Sequence, residues 1–481
     1  MTVNPQFYQK LPMIKVDHSR IAKEIGLKDG AKYATFNDFF TKDGQYKLAK
    51  QISKSVRKKP LDKNLYDKEL VKVDERLNIS YMVYTGSLLN IYPIPHDVNN
   101  KWVNPQEAIS KFPKEISAMI RMMTLYLFDG ATQIQKDGNS TQFNQAINLI
   151  SLYQKKFGSK VLPSKTETKI EIEYNKLGLL SKLVPLYILI GLVLLIASFV
   201  NVVKPISSLK WIVKISWILL IAGFAVHLVG MGMRWYIGGH APWSNAYESI
   251  VFIAASTVVA GLVLAKKSPF TLGATALLAG ITMAVAHMNF VNPEITNLVP
   301  VLKSYWLMIH VATIISGDGF LGLGSILSLL VLILFIMRKD GDKNIDRAIK
   351  ELTNIAEMSL IVGLFLMTIG NFLGGVWANE SWGRYWGWDA KETWAGVTIL
   401  IYASVLHLRF IPKLNNPFIF NMASLWAYSS VLMTYFGVNY YLSGLHSYAA
   451  GSPVPIPTWV PYSILSLMIL TLLAYRNRKM K

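Results

Sequence analysis

From Leu183 onward the chain reads as apolar runs of about twenty residues divided by short polar clusters, the length a helix needs to cross a hydrocarbon core of about 30 Å. Nine such runs fall at roughly 183–203, 211–233, 246–265, 270–289, 304–337, 356–376, 393–410, 418–440 and 458–475, the fifth being the longest and expected to project beyond the bilayer. Before residue 179 the pattern changes. Short apolar stretches alternate with turn signals such as Asp43-Gly44, Asp129-Gly130 and Asp137-Gly138, as expected of a mixed α/β domain over residues 1–178. Within it, 142–157 has helical periodicity, with Phe143, Ile147, Leu149, Ile150 and Tyr153 close to one face, and 169–174 alternates like a strand. The fold class expected is therefore a polytopic α-helical membrane protein with an N-terminal extracytoplasmic α/β domain.

Composition agrees with the pattern: 52% of the 481 residues are hydrophobic, which excludes an ordinary cytosolic enzyme. The net charge of +20 resembles a nucleic-acid signature, but most basic residues of the apolar part sit in clusters between runs, where they orient membrane helices; no nucleic-acid partner is expected. One side collects 16 Lys and Arg, among them Lys204, Lys266, Arg338, Arg347, Arg409 and Arg476, against Arg234, Lys303, Arg384 and Lys391 on the other. The richer side is the cytoplasmic one. That places the N-terminal domain and most tryptophans outside a bacterial inner membrane, surrounded by lipid, with the C-terminus in the cytoplasm. Lys165, Lys169, Lys176 and Lys182 run against this bias, which large translocated domains often ignore. Residues 1–20 have no apolar signal region, so a separate or cleaved membrane-spanning part is expected upstream. With no cysteine in the chain, metal chemistry falls to His, Met or carboxylates.

The segment richest in chemistry is 377–394, WANESWGRYWGWDAKETW, in the loop expected after the sixth run. Five of the thirteen Trp fall in these eighteen residues, interleaved with Asn379, Glu380, Arg384, Asp389, Lys391 and Glu392. An aromatic belt at the interface accounts for one or two Trp per helix end. A denser platform with a few charges suits a flat, apolar ligand carrying carboxylates, such as haem. From the residues alone both readings stand.

The segment closely resembles the tryptophan-rich WWD motif of haem-handling proteins, in the form found in the CcsA (ResC-like) component of the system II cytochrome c synthase. It departs mainly at Ala390, where the family has Pro. The resemblance covers most of residues 205–450, including 234–249 (RWYIGGHAPWSNAYES), 303–311 (KSYWLMIHV) and 437–448 (GVNYYLSGLHSY). Residues 160–203 resemble the end of a CcsB (ResB-like) component, as in fused CcsBA proteins. The division expected is thus 1–178 CcsB-like extracytoplasmic, 179–204 the last CcsB-like membrane helix, and 205–481 the CcsA-like membrane domain.

The resemblance implies haem b (iron protoporphyrin IX) as the bound group and assigns His310 and His446, which flank the Trp-rich segment, as its axial ligands and catalytic residues. It assigns His407, at the end of the seventh run, to a second haem whose other ligand lies on a CcsB-type helix absent from this chain. His227 and His287 lie at the wrong depth to share iron with His407 and read as packing or path-lining residues. His240 reads as lining the outer cavity, and His18 and His96 show no metal spacing. Candidate haem contacts are Trp377, Trp382, Trp386, Trp388 and Trp394, with Arg384 and Arg234 for the propionates and Lys391 as a point charge. Asp389, in the same cofactor-binding set, is expected with Glu392 to orient these cations.

The function implied is haem export coupled to cytochrome c haem attachment. Vinyl groups would meet the two thiols of a CxxCH apocytochrome c, kept reduced by a thiol reductant, in a holocytochrome c synthase active with the missing CcsB-type helices. Catalysis would rest on positioning. A haem transporter or carrier without covalent attachment, and a scaffold whose Trp only anchor a loop, are the competing classes.

Overall fold

The structure, a computed structural model, describes residues 1–2, 4–28, 30–58, 64–265, 268–288, 291–298, 302–442 and 456–478. They form two compact units, 1–164 and 165–481.

The first unit is helical rather than α/β. Helices α1 (Pro5–Tyr8), α2 (Ser19–Ile25), α3 (Ala49–Arg57), α4 (Leu65–Tyr84), α5 (Pro105–Lys111), α6 (Lys114–Asp137) and α7 (Thr141–Phe157) carry it. The strands are two-residue antiparallel pairs, β1 (Ile14–Lys15) with β2 (Tyr33–Ala34) and β3 (Tyr92–Pro93) with β4 (Trp102–Val103). Two small cores result, one around Ile21, Phe39, Leu70 and Val73, the other around Tyr92, Ile120 and Tyr153. The helix expected at 142–157 is α7, although Ile147 and Leu149 face outward while Ala146, Ile150 and Tyr153 are buried. At the start of α4 the buried Asp67 closes a capping box with Asn64 and accepts from Lys58 Nζ at 2.8 Å and Ser55 Oγ at 2.7 Å. Lys58 and Ser55, with the Asn64 amide, hold its carboxyl down at about 2.

The alternating segment 169–174 is not a strand. It lies within helix α8 (Lys165–Leu177), with no buried residue. Alternating Lys, Ile and Glu satisfy a two-residue period, but no neighbouring strand pairs with them, and Lys and Glu favour the helix that leads toward the membrane. The units divide at Ser164 rather than at 178 because α8 packs with the second unit: Tyr174 reaches Arg234.

The second unit continues with α9 (Leu179–Val203), α10 (Leu209–Gly238), α11 (Ala246–Leu264), α12 (Pro269–Ala286), α13 (Tyr305–Met337), α14 (Lys343–Trp382), α15 (Ala390–His407), α16 (Pro417–Leu432), α17 (Val438–Tyr441) and α18 (Trp459–Arg476). Among the described residues eight helices are long and apolar enough to cross a membrane. The run at 418–440 is helical too, but α16 ends after 16 residues and a π-helical turn, Met433–Gly437, separates it from α17.

The fifth run forms the 33-residue α13, and the longest helix is α14, at 40 residues. Its first turns are masked in sequence by Lys343, Asp346, Arg347, Lys350 and Glu351, yet Ile345, Ile349 and Leu352 form a buried stripe at helical spacing. Helices α13 and α14 form the most extensively packed pair. Gly363, Gly370 and Gly374 face Leu321, Ile314 and His310 at distances that leave no room for a Cβ, the close approach small residues permit in membranes.

Candidate functional site

One cavity of about 600 Å³ lies between the ends of α11, α13, α14, α15 and the π-helical turn. His310, Asp318, Trp377, Trp386, Lys391 and Thr434 are among its lining residues.

His310 is positioned by the glycine face of α14. Its Nδ1 lies 2.7 Å from the Gly370 carbonyl oxygen, and its ring occupies the space above Gly374. A carbonyl only accepts, so Nδ1 carries the hydrogen; in the neutral ring Nε2 then carries the lone pair a metal would need. The Trp377 indole lies nearly parallel to the imidazole, at 13° and 6.3 Å between centroids. Trp377 is itself buried and meets Trp382 edge to face at 4.8 Å.

The Trp-rich segment is not one loop. Trp377 and Trp382 belong to the last turns of α14, Trp394 to the first turns of α15, and only 383–389 connect the helices. Asp389 caps α15 in a capping box with Glu392, so Ala390 starts a helix even without the family's proline. Glu392 also gathers the connection: Oε1 accepts from Arg384 at 3.2 Å and Oε2 from the Gly387 amide at 2.8 Å. Arg384 lies over the Trp382 ring at 5.6 Å. Trp386 lines the cavity and packs edge to face on Trp388, whose ring is 78% exposed and whose backbone is held at φ 58°, a strained value for a non-glycine residue. Of the five Trp, then, Trp377 and Trp386 are among the cavity's described lining residues; Trp382 packs on Trp377, and the exposed Trp388 packs on Trp386.

Arg234 is a correction. Expected to meet a ligand carboxylate, its buried guanidinium pairs with Glu248 at 2.9 Å and donates to Tyr174 Oη and the Pro293 carbonyl. Both side chains of the pair are 1% exposed. The reason is its place on the α10 face that packs against α8 and α11. It acts as a strut for 291–298, whose Thr296, Asn297 and Leu298 wall the cavity and whose Thr296 carbonyl His240 also contacts.

His407 ends α15, sixteen residues from Lys391 and so about 24 Å away along the helix axis. It is exposed, with Nδ1 2.6 Å from the Ala403 carbonyl. His227 is buried beside the Tyr187 hydroxyl, and His287 packs on Tyr247 at the end of α12. His446 lies outside the described residues. Asp318 is not among the site residues expected from the sequence, although an acidic residue inside an apolar run is a signal that could have found it.

Residues 243–446 match the family of cytochrome C assembly proteins. Along all 481 residues the chain is 42% identical to protein NrfI of Wolinella succinogenes, and it spans 53% of that protein, about half its length. It is 34% identical over 264 residues to the cytochrome c biogenesis protein CcsA of Prochlorococcus marinus, covering 48% of this chain and 83% of that one. With CcsA of Chlamydomonas reinhardtii it shares 38% identity over 225 residues, covering 45% of this chain and 63% of that protein.

Proposed function

The chain belongs to the CcsA-type family of cytochrome c assembly proteins, and from that premise we propose that its cavity receives haem as cargo and presents it for covalent attachment to apocytochrome c. The observation that carries this reading is the orientation of His310, whose Nδ1 is committed to Gly370 so that Nε2 supplies the lone pair at an aromatic-walled cavity. The volume of about 600 Å³ fits the range of small-ligand sites, and Trp377 and Trp386 supply the flat apolar walls a porphyrin needs.

In this proposal His310 and His446 would hold the iron. Arg384, held by Glu392, and Lys391 meet the propionates, while Asp389 serves as the cap that fixes Lys391 at the mouth of α15. The exposed Trp388 guides haem or acceptor at the rim, and Trp382 and Trp394 hold the walls. Haem brings two vinyl groups. Each takes up one cysteine thiol of a CxxCH acceptor, the sulfur bonding the inner vinyl carbon and the thiol hydrogen passing to the outer one, with no net oxidation. The residues of this chain hold the ring, so the gain is in proximity. His407, at the far end of α15, serves a second haem together with a ligand from a CcsB-type segment, and the Trp-rich end faces outward from a bacterial inner membrane. Thiols of the acceptor are kept reduced by a partner.

The test is co-expression of the chain, with and without a CcsB-type segment, and a CxxCH acceptor in a host lacking other synthases. Thioether-linked haem on the acceptor supports attachment. Haem bound to the chain without linked product favours a carrier, and no haem at all favours a scaffold.

A further inference from the structure

Besides Glu392, which pairs with Arg384, the cavity wall carries two opposite charges, Asp318 and Lys391, whose pairing the proposed function leaves unused. Asp318 projects from the middle of α13, eight residues and so about 12 Å beyond His310 along the axis, and is 6% exposed. Lys391 comes from the first turn of α15, and both line the same cavity. Among the described residues neither side chain makes a hydrogen bond or an ion pair within 4.0 Å, yet each lies in the other's electrostatic field. The hydroxyls of Tyr402 and Tyr428 lie in the field of Asp318 as well. An acidic side chain buried in a membrane helix without a direct partner is expensive and marks a functional position. Here it shares a cavity wall with a cation that it does not touch, which leaves room for a ligand as the third member of the site.

We propose that Asp318 is the resident counter-ion of Lys391, and that a carboxylate of the incoming ligand enters the cavity and takes the ammonium over. This rests on the haem reading of the cavity and adds to it a criterion of selection and a means of release. Lys391 and Asp318 together are neutral. A ligand carboxylate brings the group to one negative charge, so Asp318 weakens the hold of Lys391 on the ligand. The cavity thereby favours porphyrins bearing free carboxylates without binding them too tightly to hand on. Asp318 is a positioning residue, acting through Lys391.

The test measures binding and release of iron protoporphyrin IX and of its dimethyl ester by the full chain in detergent, in the parent, Asp318→Asn, Lys391→Gln and the double variant. An interaction of a charged group worth about 1.5 to 3 kcal/mol corresponds to at least about ten-fold in affinity. Lys391→Gln is expected to weaken the free diacid about ten-fold, Asp318→Asn to tighten it and slow its release by a similar factor, and the double variant to match Lys391→Gln alone. The diester is expected to bind all four proteins alike. Weaker or unchanged diacid binding in folded Asp318→Asn, or equal changes for the diester, would overturn the pairing. If Asp318→Asn does not reach the membrane, Lys391→Gln still decides: an unchanged preference for diacid over diester overturns the proposal. Failure of the parent to bind either porphyrin overturns the haem reading itself.

Discussion

Adding one methyl group at Gly374 probes how His310 is held. A Cβ at this position would lie 2.5 Å from His310 Cε1 and 2.7 Å from Nδ1. Carbon atoms in contact prefer about 3.5–4.0 Å, so the ring must retreat by about 1 Å. Its Nδ1–H is bonded to Gly370, one turn away on the same helix, so retreat stretches that bond. Overpacking costs about 1–3 kcal/mol and the weakened bond about 1 kcal/mol more. A misplacement of about 1 Å at a reacting site can lower the rate about 100-fold. Gly396→Ala is the control: its Cβ meets only Trp386, at an ordinary 3.7 Å. The assay is haem per protein, the absorption spectrum and the yield of thioether-linked acceptor. Gly374→Ala is expected to alter the spectrum and cut the yield sharply, with Gly396→Ala near the parent. A parental spectrum and yield in Gly374→Ala would refute the placement of His310 against α14.

Glu248→Gln leaves Arg234 charged and buried without its partner, a change that costs about 3–5 kcal/mol; unfolding in denaturing detergent should show it, and replacing Arg234 with Met as well should recover part of the loss. Trp386→Ala, which strips a cavity wall, should reduce haem content more than Trp388→Ala, whose ring is 78% exposed, with an aromatic contact worth about 0.5–1.5 kcal/mol at stake in the first; haem per protein decides. Asp67 titrates at about 2 in the folded unit, below its usual 3.8, so its stabilisation is complete above about pH 4 and is lost as the pH falls toward 2. Hydrogen exchange at α4 should accelerate over that interval, and Asp67→Asn should accelerate it already at neutral pH and flatten the pH dependence.

The membrane helices are readable in the sequence because lipid demands about twenty apolar residues per crossing. Features that depart from that rule are hidden. The charged start of α14 shows only as a stripe of Ile345, Ile349 and Leu352, and the π-helical turn at Met433–Gly437 has no apolar signature. At 169–174, alternation imitates a strand because period alone cannot supply a pairing partner. At the site, residue types point to the Trp-rich segment and His310, but a side chain's reach depends on its neighbours. Arg234 looks available until Glu248 and Pro293 are placed beside it. The hold on His310 comes from a carbonyl and an absent Cβ, neither of which is a motif. Asp318 gains meaning only when folding brings Lys391 to the same cavity.

The central claim, that His310 offers its Nε2 to haem iron in this cavity, is tested most directly by absorption spectroscopy of purified His310→Gly with and without imidazole. The spectrum of His310→Gly is expected to show loss of one axial nitrogen, and added imidazole to restore the parental bands and part of the attachment yield. A parental spectrum in His310→Gly without imidazole would contradict the claim.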